Sequence, residues 1–304
     1  MSHARRERIR ELVDAGSLLK ARGELKAHIR TLTAPNEREE RAEVLGDLGE
    51  VYMHMEKHNE AIAAYEEAID ILDDMHGRAD PRRWVAAEKL ADSHAQLANH
   101  AVAVGLYKDV VQNMLESPFG NSHPGMRVTL GKLGSSALAA RDAHNAVSSY
   151  ETLIQLAEGD DSEAAASARA DANLQLSRAL SMPSKKGASR GSKAEKARLL
   201  RALKHARTAK KLFEQLPEGE SMDVAYSTNG IAGVLERLDR NDEAISTMEE
   251  ALQLTISAKG SETDPDVVRA KKILEGLRSH IKRKLSRAAH VSLANEDAST
   301  KSEL

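Results

Sequence analysis

Alanine and tyrosine recur in this chain at a fixed interval. Ala61 and Tyr65, Ala103 and Tyr107, and Ala146 and Tyr150 repeat an Ala-x3-Tyr pair about every 42 residues. Each pair follows an apolar–small pair upstream: Leu48-Gly49, Leu90-Ala91 and Leu133-Gly134. Residues four apart share one face of a helix. A period of this length means two-helix units, each too small to bury its apolar face alone, that share a core with their neighbours. Leu176-Ser177 continues the series. Ile231-Ala232 with Ala244-x3-Met248-x2-Ala251 closes a fifth unit. In the fourth unit the second helix, carrying Ala202, Ala206 and Ala209, arrives about 13 residues late, after a Pro-, Gly- and Ser-rich stretch that reads as a loop.

In the first unit Leu48, Gly49 and Tyr52 spell L-G-x2-Y ahead of Ala61-x3-Tyr65. This resembles the tetratricopeptide repeat (TPR) signature. The period exceeds the usual 34 residues. The extra length lies between units, in Gly77-Arg-Ala-Asp80-Pro81, Gly120-Asn-Ser-His123-Pro124 and Gly260-Ser-Glu-Thr-Asp264-Pro265. Such elements resemble those of the long TPR subclass of kinesin light chains, over roughly residues 41–275. The resemblance implies an all-α fold, a right-handed superhelix (α-solenoid) of helix–turn–helix repeats. Small residues at Gly49, Ala91, Gly134, Ser177 and Ala232 let paired helices approach closely, and each tyrosine is expected to fill space toward the next unit. Asn59, Asn145 and Asn241 are expected to cap second helices.

The expected organisation is an N-terminal capping helical hairpin over 1–40 and five TPR units over 41–262 with a basic loop insertion at about 182–194. A C-terminal capping helix over 263–290 and a disordered tail over 291–304 follow. Aromatic residues make up only 3% of the chain, which suits small-residue helix packing and fits sheets poorly. No apolar run approaches a membrane span. The absence of cysteine excludes disulfides and thiolate metal sites, and suits a reducing compartment. The expected setting is cytoplasmic, with cytoskeletal or ciliary association implied by the repeat subclass alone.

Residues suited to catalysis or metal binding are few. His54 and His58 stand four apart without an H-E-x-x-H frame, and His94 and His123 read as packing and turn residues. Asp73-Asp74 and Asp160-Asp161 read as solvated acidic pairs. Phosphate-binding and nucleophile-elbow motifs are missing. The chain therefore reads as a non-enzyme with no cofactor.

Two surfaces carry the functional expectation. By the TPR resemblance, first helices line a concave groove that takes a protein or peptide partner. The groove positions are Glu50, Met53 and His54; Lys89, Asp92 and Gln96; Lys132 and Ser135; Arg178; Glu236 and Arg237. Lys89 and Lys132, in successive units, could form a partial anion site. The second surface is a basic segment. Residues 1–180 carry a net charge of −8 and residues 181–304 a net of +5. Within 185–211, Lys185, Lys186, Arg190, Lys193, Lys196, Arg198, Arg201, Lys204, Arg207, Lys210 and Lys211 face only Glu195. Such a run attracts nucleic acid, cytoskeletal polymer or acidic protein, although no interleaved aromatic favours base stacking. The plainer reading is a solvent-facing helix. The leading expectation is a scaffold or adaptor, with electrostatic binding as the alternative and a regulatory subunit holding an enzyme in the groove as a third reading.

Overall fold

The computed structural model describes residues 3–160, 162–183, 191–216 and 221–302. It is all-α, and no strand occurs among the described residues. The chain divides into two compact units, Met1–Leu156 and Ala157–Leu304.

The first unit opens with α1 (His3–Asp14) and α2 (Leu18–Thr31), joined across Gly16, which takes a left-handed φ of 68°. Three helical pairs follow: α3 (Arg38–His54) with α4 (His58–His76), α5 (Pro81–Gln96) with α6 (His100–Glu116), and α7 (Met126–Ala139) with α8 (Ala143–Leu156). Within this unit consecutive helices pack on one another from α1 to α8. The second unit holds α9 (Glu163–Ser181), α10 (Lys193–Glu214), α11 (Ser221–Arg237), α12 (Asn241–Lys259) and α13 (Pro265–Ser302), again packed in sequence.

Local chemistry sets the helix boundaries. Asp80 accepts from the Arg82 amide ahead of Pro81, and Asp264 accepts from the Asp266 amide ahead of Pro265. Pro at the first helical position loses no hydrogen bond there. Gly77 and Gly260 close α4 and α12 at positive φ, their amides bonding Asp73 and Ile256 carbonyls. Ser162 and Ser192 cap α9 and α10 through their hydroxyls. The turn inside each described pair is built differently from the expected Asn caps. Glu56, Ala98, Arg141 and Asp239 sit in the left-handed region at φ 56–61°. The following amides, of Lys57, Asn99, Asp142 and Arg240, reach back five residues to carbonyls of the first helix. This is a Schellman closure without glycine. It makes Lys57 and Arg240 the residues that precede α4 and α12. Asn59 and Asn145 fall inside helices, and Asn145 donates to the Asp142 carboxylate.

The small residues and tyrosines explain each other. A β-carbon at Gly49 would lie 2.5 Å from the Tyr65 ring, and one at Gly134 would lie 2.6 Å from the Tyr150 ring. Each ring thus lies on the glycine of its own pair rather than toward the next, because the missing side chain leaves a slot of ring thickness. Ala61, Ala103 and Ala146 are fully buried beside them. In the second unit Leu176 and Ser177 on α9 and Ala202, Ala206 and Ala209 on α10 are likewise buried.

Two expectations change. The stretch from 291 onward, expected to be disordered, continues α13 to Ser302, a segment with neither Gly nor Pro to stop a helix. Asp73 and Asp74 are not simply solvated. Asp73 joins Asp109 in holding the buried Arg83 guanidinium, each at 2.9 Å, and Asp74 holds Arg38 at 2.9 Å. The expected loop at 182–194 is described only at its ends, where α10 starts at Lys193; residues 184–190, with Lys185, Lys186 and Arg190, lie outside the described residues.

Candidate functional site: the first-helix face and the α10 stripe

Helices α3, α5 and α7 are the first members of their pairs in the N-terminal unit. Their equivalent positions line up at the repeat interval. Glu50 meets Lys89 at 2.9 Å. Lys132 bridges Glu88 at 2.7 Å and Asp92 at 2.8 Å. Burial works against the Lys132 ammonium, but Asp92 and Glu88 outweigh it and hold its pKa above the ordinary lysine value. The two lysines expected to form a partial anion site are therefore already neutralised by carboxylates. A cation placed one repeat beyond an acidic pair is drawn back to it.

Above this network stand the second-helix tyrosines, each fifteen residues after a first-helix polar position. Tyr107 donates to Asp92 at 2.5 Å. The Tyr150 hydroxyl lies 3.3 Å from that of Ser135. The third, Tyr65, is buried with no hydrogen-bond partner, because Glu50, the equivalent acceptor, turns to Lys89. The fixed fifteen-residue offset was present in the sequence, and the alignment of hydroxyls over the face could have been read from it. Below Tyr65 a groove of about 410 Å³ opens between α3, α4 and α5.

The remaining groove residues are placed as follows. His54, Gln96 and Ser135 are exposed, and Met53 is half-buried, its sulfur accepting from Ser93. In the C-terminal unit Arg178 is exposed and bonds Gln175 at 3.0 Å. Glu236 pairs with His280, and Arg237 is drawn 2.7 Å to Glu195 at the start of α10. The acid that interrupts the basic run is therefore itself neutralised.

On α10 the exposed positions Lys193, Lys196, Arg201, Lys204, Arg207 and Lys211 recur at helical spacing and form one stripe. Lys210 leaves it: this side chain lies 2.5 Å from Glu250 of α12 and 3.8 Å from Glu214. Arg198 donates to the Met182 carbonyl.

His58 approaches the Met53 sulfur rather than His54. Among the described residues no cluster of three or more His, Asp or Glu could hold a metal ion, and no helix is long and apolar enough to cross a membrane.

Comparison with known proteins agrees with this architecture. The tetratricopeptide repeat family profile matches residues 40–116. Two RxLR effector proteins are similar in sequence. RXLR-C07 of Plasmopara halstedii, named as secreted, is 25% identical over 241 residues, covering 79% of this chain and 69% of that protein. SFI4 of Phytophthora infestans (strain T30-4) is 23% identical over 245 residues, covering 79% of this chain and 66% of that protein. Among solved structures, the kinesin-light-chain nearly identical TPR-like repeats of Podosopora anserina superpose with a TM-score of 0.56 at 15% identity, over 73% of this chain and 98% of theirs. The apo form of RapI gives 0.61 at 13% identity, over 91% of this chain and 69% of its own. At such identities these structures speak for the fold. Taken with the repeat ruler, the Tyr-on-Gly packing and the repeated Schellman turns, they show a tetratricopeptide-repeat fold, with the family's repeats at residues 40–116 and long units that resemble those of kinesin-light-chain repeat structures.

Proposed function

We propose that the chain is a non-catalytic scaffold or adaptor that binds a segment of a partner protein along its first-helix face. The observation that carries this reading is the face of α3, α5 and α7. There paired charges run from helix to helix, the Glu50–Lys89 pair borders an open groove, and the sequence carries no phosphate-binding or nucleophile-elbow motif. Fixed, mutually neutralised polar groups beside apolar space suit recognition of a chain segment, since they need no rearrangement on binding. The relatives named as effectors, and RapI, are proteins this fold resembles; their names accord with a chain that works by binding. A cytoplasmic or cytoskeletal setting rests on the repeat subclass, and a secreted one on the name of one relative. The reading holds in either.

The α10 stripe supports a second reading, in which nucleic acid, a cytoskeletal polymer or an acidic protein binds electrostatically. One experiment separates the two. The tagged chain, a triple variant of the face (His54→Asp, Gln96→Arg, Ser135→Arg) and a stripe variant (Lys204→Glu, Arg207→Glu, Lys211→Glu) are used to recover partners, with and without nuclease. The scaffold reading expects recovery lost only in the face variant and unaffected by nuclease. Loss confined to the stripe variant, with steep salt dependence, would replace it by the electrostatic reading.

A further inference from the structure

The outward sides of two second helices carry opposite charge in matching patterns. On α4, Glu60, Ala63, Glu66 and Asp70 are exposed and recur at steps of three and four, so they form one stripe. Glu56, exposed in the turn ahead of the helix, extends it. On α10 the stripe holds Lys193, Lys196, Leu200, Lys204, Arg207 and Lys211, all exposed. By the rise of a helix, Glu60 to Asp70 covers about 15 Å and Lys196 to Arg207 about 16 Å. The fold neutralises the charges around these stripes: Glu67 by Arg41, Asp74 by Arg38 and Lys210 by Glu250. It leaves the stripes themselves open. Among the described residues Glu66, Asp70, Lys193, Lys196, Lys204 and Lys211 join no ion pair. Glu60 lies 3.8 Å from Lys57, at the limit of a pair. Arg207 lies within electrostatic reach of Glu243, which Arg240 already holds at 2.5 Å. The centres of the stripes also differ in shape. Leu200, 47% exposed, stands between Lys196 and Lys204, whereas the small Ala63 leaves a hollow between Glu60 and Glu66.

From this complementarity we infer that α10 of one copy of the chain docks on α4 of a second copy. Leu200 seats on Ala63, and acids and cations of like spacing meet on either side of it. With Leu200 over Ala63, antiparallel alignment sets Glu60 against Lys204, Glu66 against Lys196 and Asp70 against Lys193. It also opposes the two helix dipoles. The net charge of only −3 puts little overall repulsion between copies. Different surfaces meet on the two copies, so the contact is heterologous. One helix laid on another makes a small interface, so the association is weak and steered by charge. This inference is independent of the first-helix-face reading. It gives the α10 stripe an acidic protein surface as its occupant, not nucleic acid.

Sedimentation equilibrium of the nuclease-treated full chain tests it. In about 50 mM salt the average mass should rise over about 10–500 μM protein, and the association constant should fall at least tenfold in about 0.5 M salt. Reversing the cations (Lys196→Glu, Lys204→Glu, Arg207→Glu) or the acids (Glu60→Lys, Glu66→Lys, Asp70→Lys) should each leave a folded monomer. Mixing the two variants should restore association, because each supplies the sign that the other lacks. A chain with both sets reversed should associate by itself. Leu200→Ala should weaken the parent's association about fivefold. A monomeric parent at every concentration in low salt, an association that neither reversal disturbs, or reversed variants that stay monomeric when mixed would each overturn the inference. Association that vanishes on nuclease treatment would overturn it too and assign the stripe to nucleic acid. If a triple variant fails to fold, the parent's salt series and Leu200→Ala decide: association insensitive to both sinks the inference.

Discussion

Lys132 and Lys204 are both helical lysines, the first alone in its helix and the second within a basic run, and the fold gives them opposite circumstances. Lys132 lies on a first helix, faces the neighbouring pair and is held by Glu88 and Asp92. Lys204 lies on a second helix, points outward with the rest of the α10 stripe, and takes part in no ion pair among the described residues. The difference teaches that a lysine's role in a repeat array follows from which helix of the pair it occupies. First-helix charges meet the next pair one repeat on and are consumed in structure. Second-helix charges on the outward face remain for solvent or for a polyanion.

The packing beneath this contrast should respond most. Gly134→Leu places four carbons where the Tyr150 ring already lies, and overpacking of this kind costs about 1–3 kcal/mol. Thermal unfolding should show a clear drop, and adding Tyr150→Ala should recover part of it, since the slot and the ring are one feature. An unchanged melting temperature would mean that the pair does not pack as described.

Lys132→Met should come next. It strips the counter-charge from two half-buried carboxylates, and the partial exposure of the lysine reduces the cost to about 1 kcal/mol. The sign with pH follows from its raised pKa. Stability from Lys132 is fully present below the ordinary lysine value and is lost as pH rises through the higher folded value. Parent and variant should therefore differ by a constant amount through neutral pH and converge only in strong alkali. A gap that closes near pH 7 would assign the stability to some other group.

Smaller still, and of opposite sign, is Ala98→Gly. Ala98 is exposed and holds φ 60° in a Schellman turn. Glycine removes the left-handed penalty but is freer when unfolded, leaving a net gain of about 0.5 kcal/mol. Denaturant midpoints would detect it. A loss instead would mean that the turn tolerates alanine without strain. Lys204→Met, the counterpart of Lys132→Met, should stay within about 0.5 kcal/mol of the parent. A larger loss would show that the stripe is structural.

The array was legible because its spacing is a steric matter. A tyrosine needs a small residue beneath it, and Gly49 and Gly134 can be seen in any alignment of the repeats. The helix ends after Asp80-Pro81 and Asp264-Pro265 were legible for the same local reason. The intra-pair turns were not, because Glu56, Ala98, Arg141 and Asp239 share a backbone conformation but no chemistry. The charges of the site misled in a third way. Lys89 and Lys132 read as available cations until the helices showed that carboxylates about 40 residues upstream lie against them. The lone hydroxyl of Tyr65 depends on the side-chain choice of Glu50 between two partners, which no periodicity records.

The central claim, that partners bind on the first-helix face, is tested most directly by site-specific photocrosslinking. Benzoylphenylalanine is placed singly at His54, Gln96 and Ser135 on the face, and at Lys204 and Arg207 on α10, and the recovered complexes are irradiated. Partner adducts are expected from the three face positions and none from α10. Adducts from Lys204 and Arg207 alone would contradict it.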